Sequence, residues 1–194
     1  MGSDGRELKR QRRDVGLTAR RAMSPVERER AAEALAHHLL ALPALTRARS
    51  VAAYLSLPDE PPTGPAISGL LERGTAVWVP VVDSATTLRW AQVSPDEPTR
   101  VGRFGIAEPT GPTRGPDVLG ELDAVIVPAL QVDHHGHRLG RGGGYYDRAL
   151  AGHAGLLIAL LHDGELVPHV PHEPHDLVVD LVVCPSGVFR PEPA

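Results

Sequence analysis

The sequence predicts an α/β fold of three layers, a mostly parallel central sheet with helices on both faces. Three observations carry this expectation. Short apolar runs alternate with amphipathic stretches of helical period along the chain. The run Leu122–Val132 (LDAVIVPALQV) is almost continuously apolar, which suits a central parallel strand covered on both faces. The glycine-rich segment Gly140–Gly144 follows that strand and precedes a helix, the place where α/β sheets bind ligands beyond the carboxyl ends of their strands.

The elements follow in order. Arg6 to about Arg21 is rich in helix formers and interrupted by Gly16. Ser24-Pro25-Val26-Glu27 is a helix start: serine caps, proline fits the first helical position, and Glu27 reaches back to the cap amide. Ala31, Leu35, Leu39 and Leu42 then recur at helical spacing until Pro43 ends the run. Ser50–Leu57 reads as a short apolar strand, Pro58–Gly64 as a loop, and Ile67–Arg73 as a helix closed by Gly74. Thr75–Val82 and Leu88–Val93 read as strands. Ser94–Gly120, dense in proline, glycine and threonine, reads as loop or lid rather than core. After the apolar run come a turn at Asp133–Gly136, the glycine loop, a helix beginning Tyr145–Leu150, and buried strands at Leu156–Leu161 and Val178–Cys184.

A chain of 194 residues, 42% hydrophobic and 23% charged, suits one globular domain or two small lobes sharing a core; the expectation taken forward is a single domain spanning 1–194. Its single cysteine, Cys184, excludes an internal disulfide and a four-thiolate zinc site, and points to a reducing, cytoplasmic setting. No apolar run approaches the roughly 20 residues of a membrane span. The net charge of −4 argues against a general nucleic-acid binder, although nine of the twenty basic residues fall between Arg6 and Arg30. That cluster reads either as a solvated helical face or as a surface for a phosphate-bearing ligand.

The most informative segment is Arg138-Leu-Gly-Arg-Gly-Gly-Gly-Tyr-Tyr-Asp147. Four glycines in five positions let backbone amides turn towards an anion, and the helix that follows adds partial positive charge. Arg138 and Arg141 complement phosphate oxygens. It is neither a Walker loop, which ends in Gly-Lys-Ser/Thr, nor a dinucleotide fingerprint, which needs glycine where Tyr145 stands. A structural tight turn would also use glycines, but would not gather two cations, two aromatic rings and a carboxylate.

The segments Asp123-Ala-Val-Ile-Val-Pro128 and Asp133-x-x-Gly136-x-Arg-Leu-Gly-Arg-Gly-Gly-Gly-Tyr-Tyr-Asp147 resemble the signature of the 5-formyltetrahydrofolate cyclo-ligases. The resemblance extends over nearly the whole chain. It includes Lys9-x-x-x-Arg13, Arg21-Ala-Met-Ser24, Leu55-Ser-Leu-Pro-Asp-Glu60-x-x-Thr63, Gly105-Ile-x-Glu-Pro109 and His175-Asp176-x-x-x-Asp180.

The resemblance implies an enzyme that closes 5-formyltetrahydrofolate to 5,10-methenyltetrahydrofolate, with ATP as co-substrate and Mg2+ as cofactor. By that pattern Lys9, Arg13, Arg138, Leu139, Gly140, Arg141, Gly142, Gly143, Gly144, Tyr145 and Tyr146 hold ATP. Leu55, Glu60 and the Arg141–Tyr145 stretch line the folate pocket, Arg141 and Tyr145 serve catalysis, and Asp147 and Asp176 hold the metal, with Asp180 behind them. On the residues alone, Lys9 and Arg13 could be solvated charges sharing a helix face, and the tyrosines could be core. Likewise Glu60 could be an exposed loop residue, and Asp147 a helix cap.

The sequence departs from the pattern at Ala129, Val132, Pro61-Pro62 and Glu165, the last standing where a glutamine is common. The prolines and Glu165 bear on the shape and charge of the folate pocket. His169-x-x-His172-x-x-His175 has metal-like spacing, but Pro168, Pro171 and Pro174 forbid a helix that would align the rings. His134, His135 and His137 read as exposed turn residues, and Cys184 as inert core. The partner expected is a small molecule, with neither nucleic acid nor membrane, and the chain is expected to be a monomer. The rival expectation is a non-catalytic or differently specific nucleotide- or pterin-binding protein.

Overall fold

The long basic helix α1 (Ser3–Ala22) opens a computed structural model that describes residues 3–83, 87–94, 98–173 and 176–192. Helix α2 (Pro25–Ala41) starts as its sequence dictates. The Ser24 hydroxyl accepts the Glu27 amide, and the Glu27 carboxylate accepts the Ser24 amide at 2.7 Å. Its Leu35 and Leu39 are fully buried, and one further turn, α3 (Pro43–Thr46), leads into β1 (Ser50–Ala52).

Helix α4 (Gly64–Glu72), β2 (Ala76–Val82) and β3 (Leu88–Gln92) follow. The remaining elements are β4 (Thr99–Val101), β5 (Ala107–Pro109), β6 (Thr113–Arg114), a 3-10 helix (Pro116–Glu121), β7 (Ala124–Pro128), β8 (Gln131–Asp133) and β9 (Arg138–Leu139). Then come α5 (Tyr145–Ala149), β10 (Leu156–Leu160), β11 (Leu166–Val167), β12 (Leu181–Cys184) and β13 (Gly187–Phe189).

The main sheet has the spatial order β13-β12-β10-β7-β1-β2-β3-β6. Its middle five strands, β12 to β2, are parallel, and the antiparallel pairings lie at the margins. This is the α/β architecture expected. The layers are unequal, however. Helices α2 and α4 cover one face, packing Leu35, Leu39, Ile67 and Leu70 on Val51, Val77, Ile126 and Ile158. The other face is closed by short pieces: Val118 and Leu119 of the 3-10 helix, Leu150 after α5, and Trp90 of β3. No helix among the described residues is long and apolar enough to cross a membrane.

Four expected elements differ, the first being the strand read over Ser50–Leu57, which ends at Ala52. The run Leu122–Val132 is two strands, not one. Pro128 has no amide to continue the ladder, and the chain leaves the main sheet there to form β8 in a small second sheet with β9 and β11. The Val178–Cys184 strand begins only at Leu181, because Val179 pairs outside the main sheet, donating to the Gly136 carbonyl. Ser94–Gly120 is more than loop: outside residues 95–97, which are not among those described, it holds the β4–β5 hairpin, β6 and the buried side of the 3-10 helix.

Chain order explains where a ligand site arises. From β1 the chain moves through α4 to β2 on one side, whereas from β7 it moves to β10 and β12 on the other. The loops leaving β1 and β7 therefore diverge and open a crevice between their carboxyl ends, the switch point at which such sheets bind ligands.

Candidate active site

A cavity of about 630 Å³ occupies this crevice. Tyr54 and Leu55 enter it from the end of β1, Pro128 and Ala129 from the end of β7, and the whole Arg138–Asp147 loop lines it. Helix α1 contributes to the cavity wall. Lys9, Arg13 and Arg20, spaced four and seven residues apart, share one helix face and line the same cavity.

The glycine loop begins where the β8–β9 hairpin ends. Gly142 (φ 96°) and Gly144 (φ 64°) take the left-handed backbone that side chains resist, and a Cβ on Gly142 would also stand 3.3 Å from the Arg13 guanidinium carbon. Arg13 Nε donates to the Gly140 carbonyl at 2.9 Å, tying α1 to the loop. Helix α5 is a single turn, so its dipole adds little, and the positive charge here comes from side chains.

Two ion pairs flank the loop. Lys9 Nζ lies 3.3 Å from Asp176 Oδ2, and Arg138 Nη2 donates to Asp147 Oδ1. Gly144 holds the N-cap place of α5 and Asp147 lies inside the first turn, its half-exposed side chain lining the cavity. Asp147 and Asp176, widely separated in sequence, thus line one cavity with Lys9 and Arg138. Hard carboxylate oxygens beside a cationic loop are a donor set that fits magnesium, which takes one or two carboxylates together with phosphate oxygens. Asp180 is elsewhere. Its carboxylate accepts the Leu157 amide at 2.7 Å, at the amino end of β10 and hence at the opposite edge of the sheet.

Opposite the glycine loop, Glu60 is 7% exposed. Burial raises its pKa, offset in part by the Leu57 amide, which donates to Oε2 at 2.9 Å, and by the Arg141 guanidinium 3.7 Å away. Arg141 itself forks onto Asp59, at 2.6 and 3.1 Å. That hydrogen bond holds the Asp59 carboxyl below its ordinary range. Pro61 and Pro62 do not disturb the wall: the Pro61 carbonyl accepts the Tyr54 hydroxyl at 2.8 Å, a bond that needs no amide from either proline. Leu139 is buried in β9 and gives its carbonyl to Leu130.

Tyr145 stands edge-on to Phe104, ring centroids 6.4 Å apart, with the Arg148 guanidinium 5.5 Å from its ring. Tyr146 packs edge-on to Trp90, its hydroxyl buried without a hydrogen-bond partner. Desolvation pushes the Tyr146 phenol well up, so it stays protonated.

Glu165 is not among the residues lining the cavity. It forms a bidentate pair with Arg20, at 2.6 and 2.7 Å, and Arg20 also donates to the Ala129 carbonyl at 2.6 Å. Sequence reasoning passed over Arg20, although its place seven residues after Arg13 on one helix face was the available signal. It also passed over Asp59 and Phe104, and gave Glu108 no role.

The histidine segment adopts no helix, as its prolines dictate, yet the chain curls so that His169 and His172 approach Asp133, with ligand atoms within 4.8 Å of one another. Asp133 is engaged in holding the fold: Oδ1 accepts the amides of His135 and His137, and Oδ2 that of Val170. Burial would raise its pKa, but those three amides outweigh it and hold the carboxyl low. His134 and His135 are exposed as expected. His137 is not: it bridges Val178 and stacks on His172. His175 lies outside the described residues.

Residues 6–185 match the model of the 5-formyltetrahydrofolate cyclo-ligase family. The chain belongs to that family. It is 38% identical over 185 residues to the 5-formyltetrahydrofolate cyclo-ligase of Mycolicibacterium smegmatis, covering 92% of this chain and 94% of that protein. The Escherichia coli K12 cyclo-ligase is 33% identical over 176 residues, with 88% and 97% covered. The solution structure of Aquifex aeolicus 5,10-methenyltetrahydrofolate synthetase superposes with a TM-score of 0.82 at 31% identity, covering 94% of this chain and 92% of that one. The fold is thus shared with that synthetase over nearly the full length of both chains.

Proposed function

We propose that this chain is a 5-formyltetrahydrofolate cyclo-ligase, converting its substrate and ATP to 5,10-methenyltetrahydrofolate, ADP and phosphate within one domain, residues 1–194. One observation carries the assignment of roles. Residues from separate stretches of sequence, Lys9 and Arg13, Leu55 and Glu60, the Arg138–Asp147 loop and Asp176, line a single cavity at the switch point.

The formyl oxygen of an N5 amide is a poor leaving group, so it has to be activated. The γ-phosphoryl group moves from ATP to that oxygen and ADP departs. N10 then attacks the formyl carbon and loses its proton, the carbon–oxygen bond breaks, and phosphate leaves. The protein's part is positioning and charge stabilisation, because phosphoryl transfer asks for little covalent chemistry from side chains.

Lys9, Arg13, Arg138 and the glycine loop through Tyr146 hold the ATP phosphates. The pairs Lys9–Asp176 and Arg138–Asp147 suit this: each cation can turn to phosphate oxygens while its carboxylate turns to magnesium. Magnesium, when bound by Asp147 and Asp176, neutralises charge on the phosphates. Arg141 sits between Asp59, Glu60 and the loop, placed to meet charge developing on the transferred group. Glu60 accepts N–H donors of the pterin, and Leu55 and Tyr145 supply apolar and aromatic wall. The enzyme acts as a cytoplasmic monomer on small molecules, without nucleic acid or membrane.

The test is absorbance of the purified protein with 5-formyltetrahydrofolate and magnesium, with and without ATP. We expect the methenyl chromophore to grow only with ATP. In Asp147→Ala the magnesium needed for half-maximal rate should rise by at least about tenfold. Folded, nucleotide-binding protein that forms no chromophore would leave a non-cyclising binding protein as the reading.

A further inference from the structure

The wall facing the glycine loop contains a second buried carboxylate that the roles above do not use. Glu108 lies on β5, is 4% exposed and lines the same cavity as Glu60 and Tyr145. Its Oε1 is 3.5 Å from the Val82 amide, a long contact. Its Oε2 is buried without any hydrogen-bond partner; the guanidinium of Arg100, an exposed side chain, stands 3.8 Å away, beyond hydrogen-bond reach. A buried carboxylate oxygen left in this way is costly and calls for an explanation.

The hairpin is built around it. The Gly102 amide donates to the Ile106 carbonyl at 2.7 Å, which folds the tip tightly and brings Gly102 under the Glu108 side chain. A Cβ on Gly102 would lie 2.2 Å from Glu108 Cδ and 2.3 Å from Oε1, so only glycine leaves room for the carboxylate where it sits. Around it the cavity wall is apolar and partly aromatic: Pro80, Val82, Leu88, Phe104 and Ile106. Apolar walls with a carboxylate acceptor among them suit an amino-substituted heterocycle, whose ring is desolvated while its N–H is bonded.

Resting on the cyclo-ligase reading, we propose that Glu108 is a ligand-recognition residue whose Oε2 accepts an N–H of the heterocycle of one of the two reactants. The pterin and adenine both carry such a donor. A residue spent on binding the ring alters affinity more than the chemical step.

The experiment is steady-state methenyl formation by wild type, Glu108→Ala and Gly102→Ala, varying 5-formyltetrahydrofolate at saturating ATP and the reverse, with thermal midpoints recorded. Gly102→Ala keeps the carboxylate but displaces it. In both variants the KM for one reactant should rise by roughly tenfold or more, as loss of a hydrogen bond to a charged group predicts, with kcat within about threefold of wild type. A rise in the folate arm identifies the pterin as the partner, and a rise in the ATP arm identifies adenine. Unchanged KM values for both reactants would overturn the proposal, and so would equal rises in both with a lowered thermal midpoint, which mark a structural role. Wild type that makes no product at all would instead overturn the cyclo-ligase reading itself.

Discussion

Glu60 shows at one residue how binding capacity is held against stability. Its carboxyl is buried and its pKa is raised, first by desolvation. A carboxyl whose folded pKa exceeds its unfolded value binds its proton more tightly in the native state. Its contribution to stability is therefore present below the ordinary glutamate range and is lost as pH rises through the folded value. At neutral pH the charged form is a cost the fold carries. Glu60→Gln removes that charge while keeping the shape. We expect its urea midpoint to rise at pH 7, with no such gain at pH 4, while its affinity for 5-formyltetrahydrofolate falls roughly ten- to a hundredfold. Equal midpoints at pH 7 would mean that Arg141 and the Leu57 amide fully offset the burial.

Helix α1 is the element on which the site most depends, and Arg20 is where it is fixed. The pair with Glu165 is almost wholly withdrawn from water, Arg20 being 2% exposed. Removing one partner of a buried pair leaves the other uncompensated, which costs about 3–5 kcal/mol. Arg20→Ala should lose that much in denaturant unfolding, and adding Glu165→Ala should recover part of it. A loss under ~1 kcal/mol would show that the pair is effectively solvated.

Much of this element was legible from residues alone: the helix, its basic face, and the Lys9 and Arg13 positions. The Ser24 capping box and the glycine loop were legible for the same reason, since caps and turns are set by neighbours in sequence. What escaped was non-local. Pro128 ends β7 where an apolar pattern runs on, and the approach of His169 and His172 depends on Asp133 gathering amides from two loops. Glu108 acquires its place only when the β4–β5 hairpin folds against β2. No periodicity encodes such meetings. The roles of the site residues rest on the family pattern, which names the positions that the fold brings together.

At the scale of the whole molecule, acid sensitivity gathers behind the Arg20 anchor. His162 is buried, and neither ring nitrogen has a hydrogen-bond partner. Burial, reinforced by Arg20 and Arg28, lowers its pKa from 6.5 to about 4. The unfolded chain therefore takes up this proton first as pH falls. The stability tied to His162 is complete above about 6.5 and drains away down to about 4. Between pH 7 and pH 4 the loss is on the order of 3 kcal/mol. His162→Leu should flatten that limb in urea titrations at pH 7, 5.5 and 4, whereas a limb as steep as wild type would assign the acid loss to other groups.

The docking of α1 beside the cavity also sets an order of events during synthesis. Its contacts with Gly140 and Asp176 join residues 127 and 167 positions apart. The helix leaves the ribosome well before the segments that fix it. A nascent chain thus carries a basic, undocked helix until the segments around Gly140 and Asp176 have emerged. If α1 holds ATP as proposed, competence to bind it should arrive in two steps, and a chain stalled before Asp176 would have the Arg13–Gly140 contact but lack the Lys9–Asp176 one.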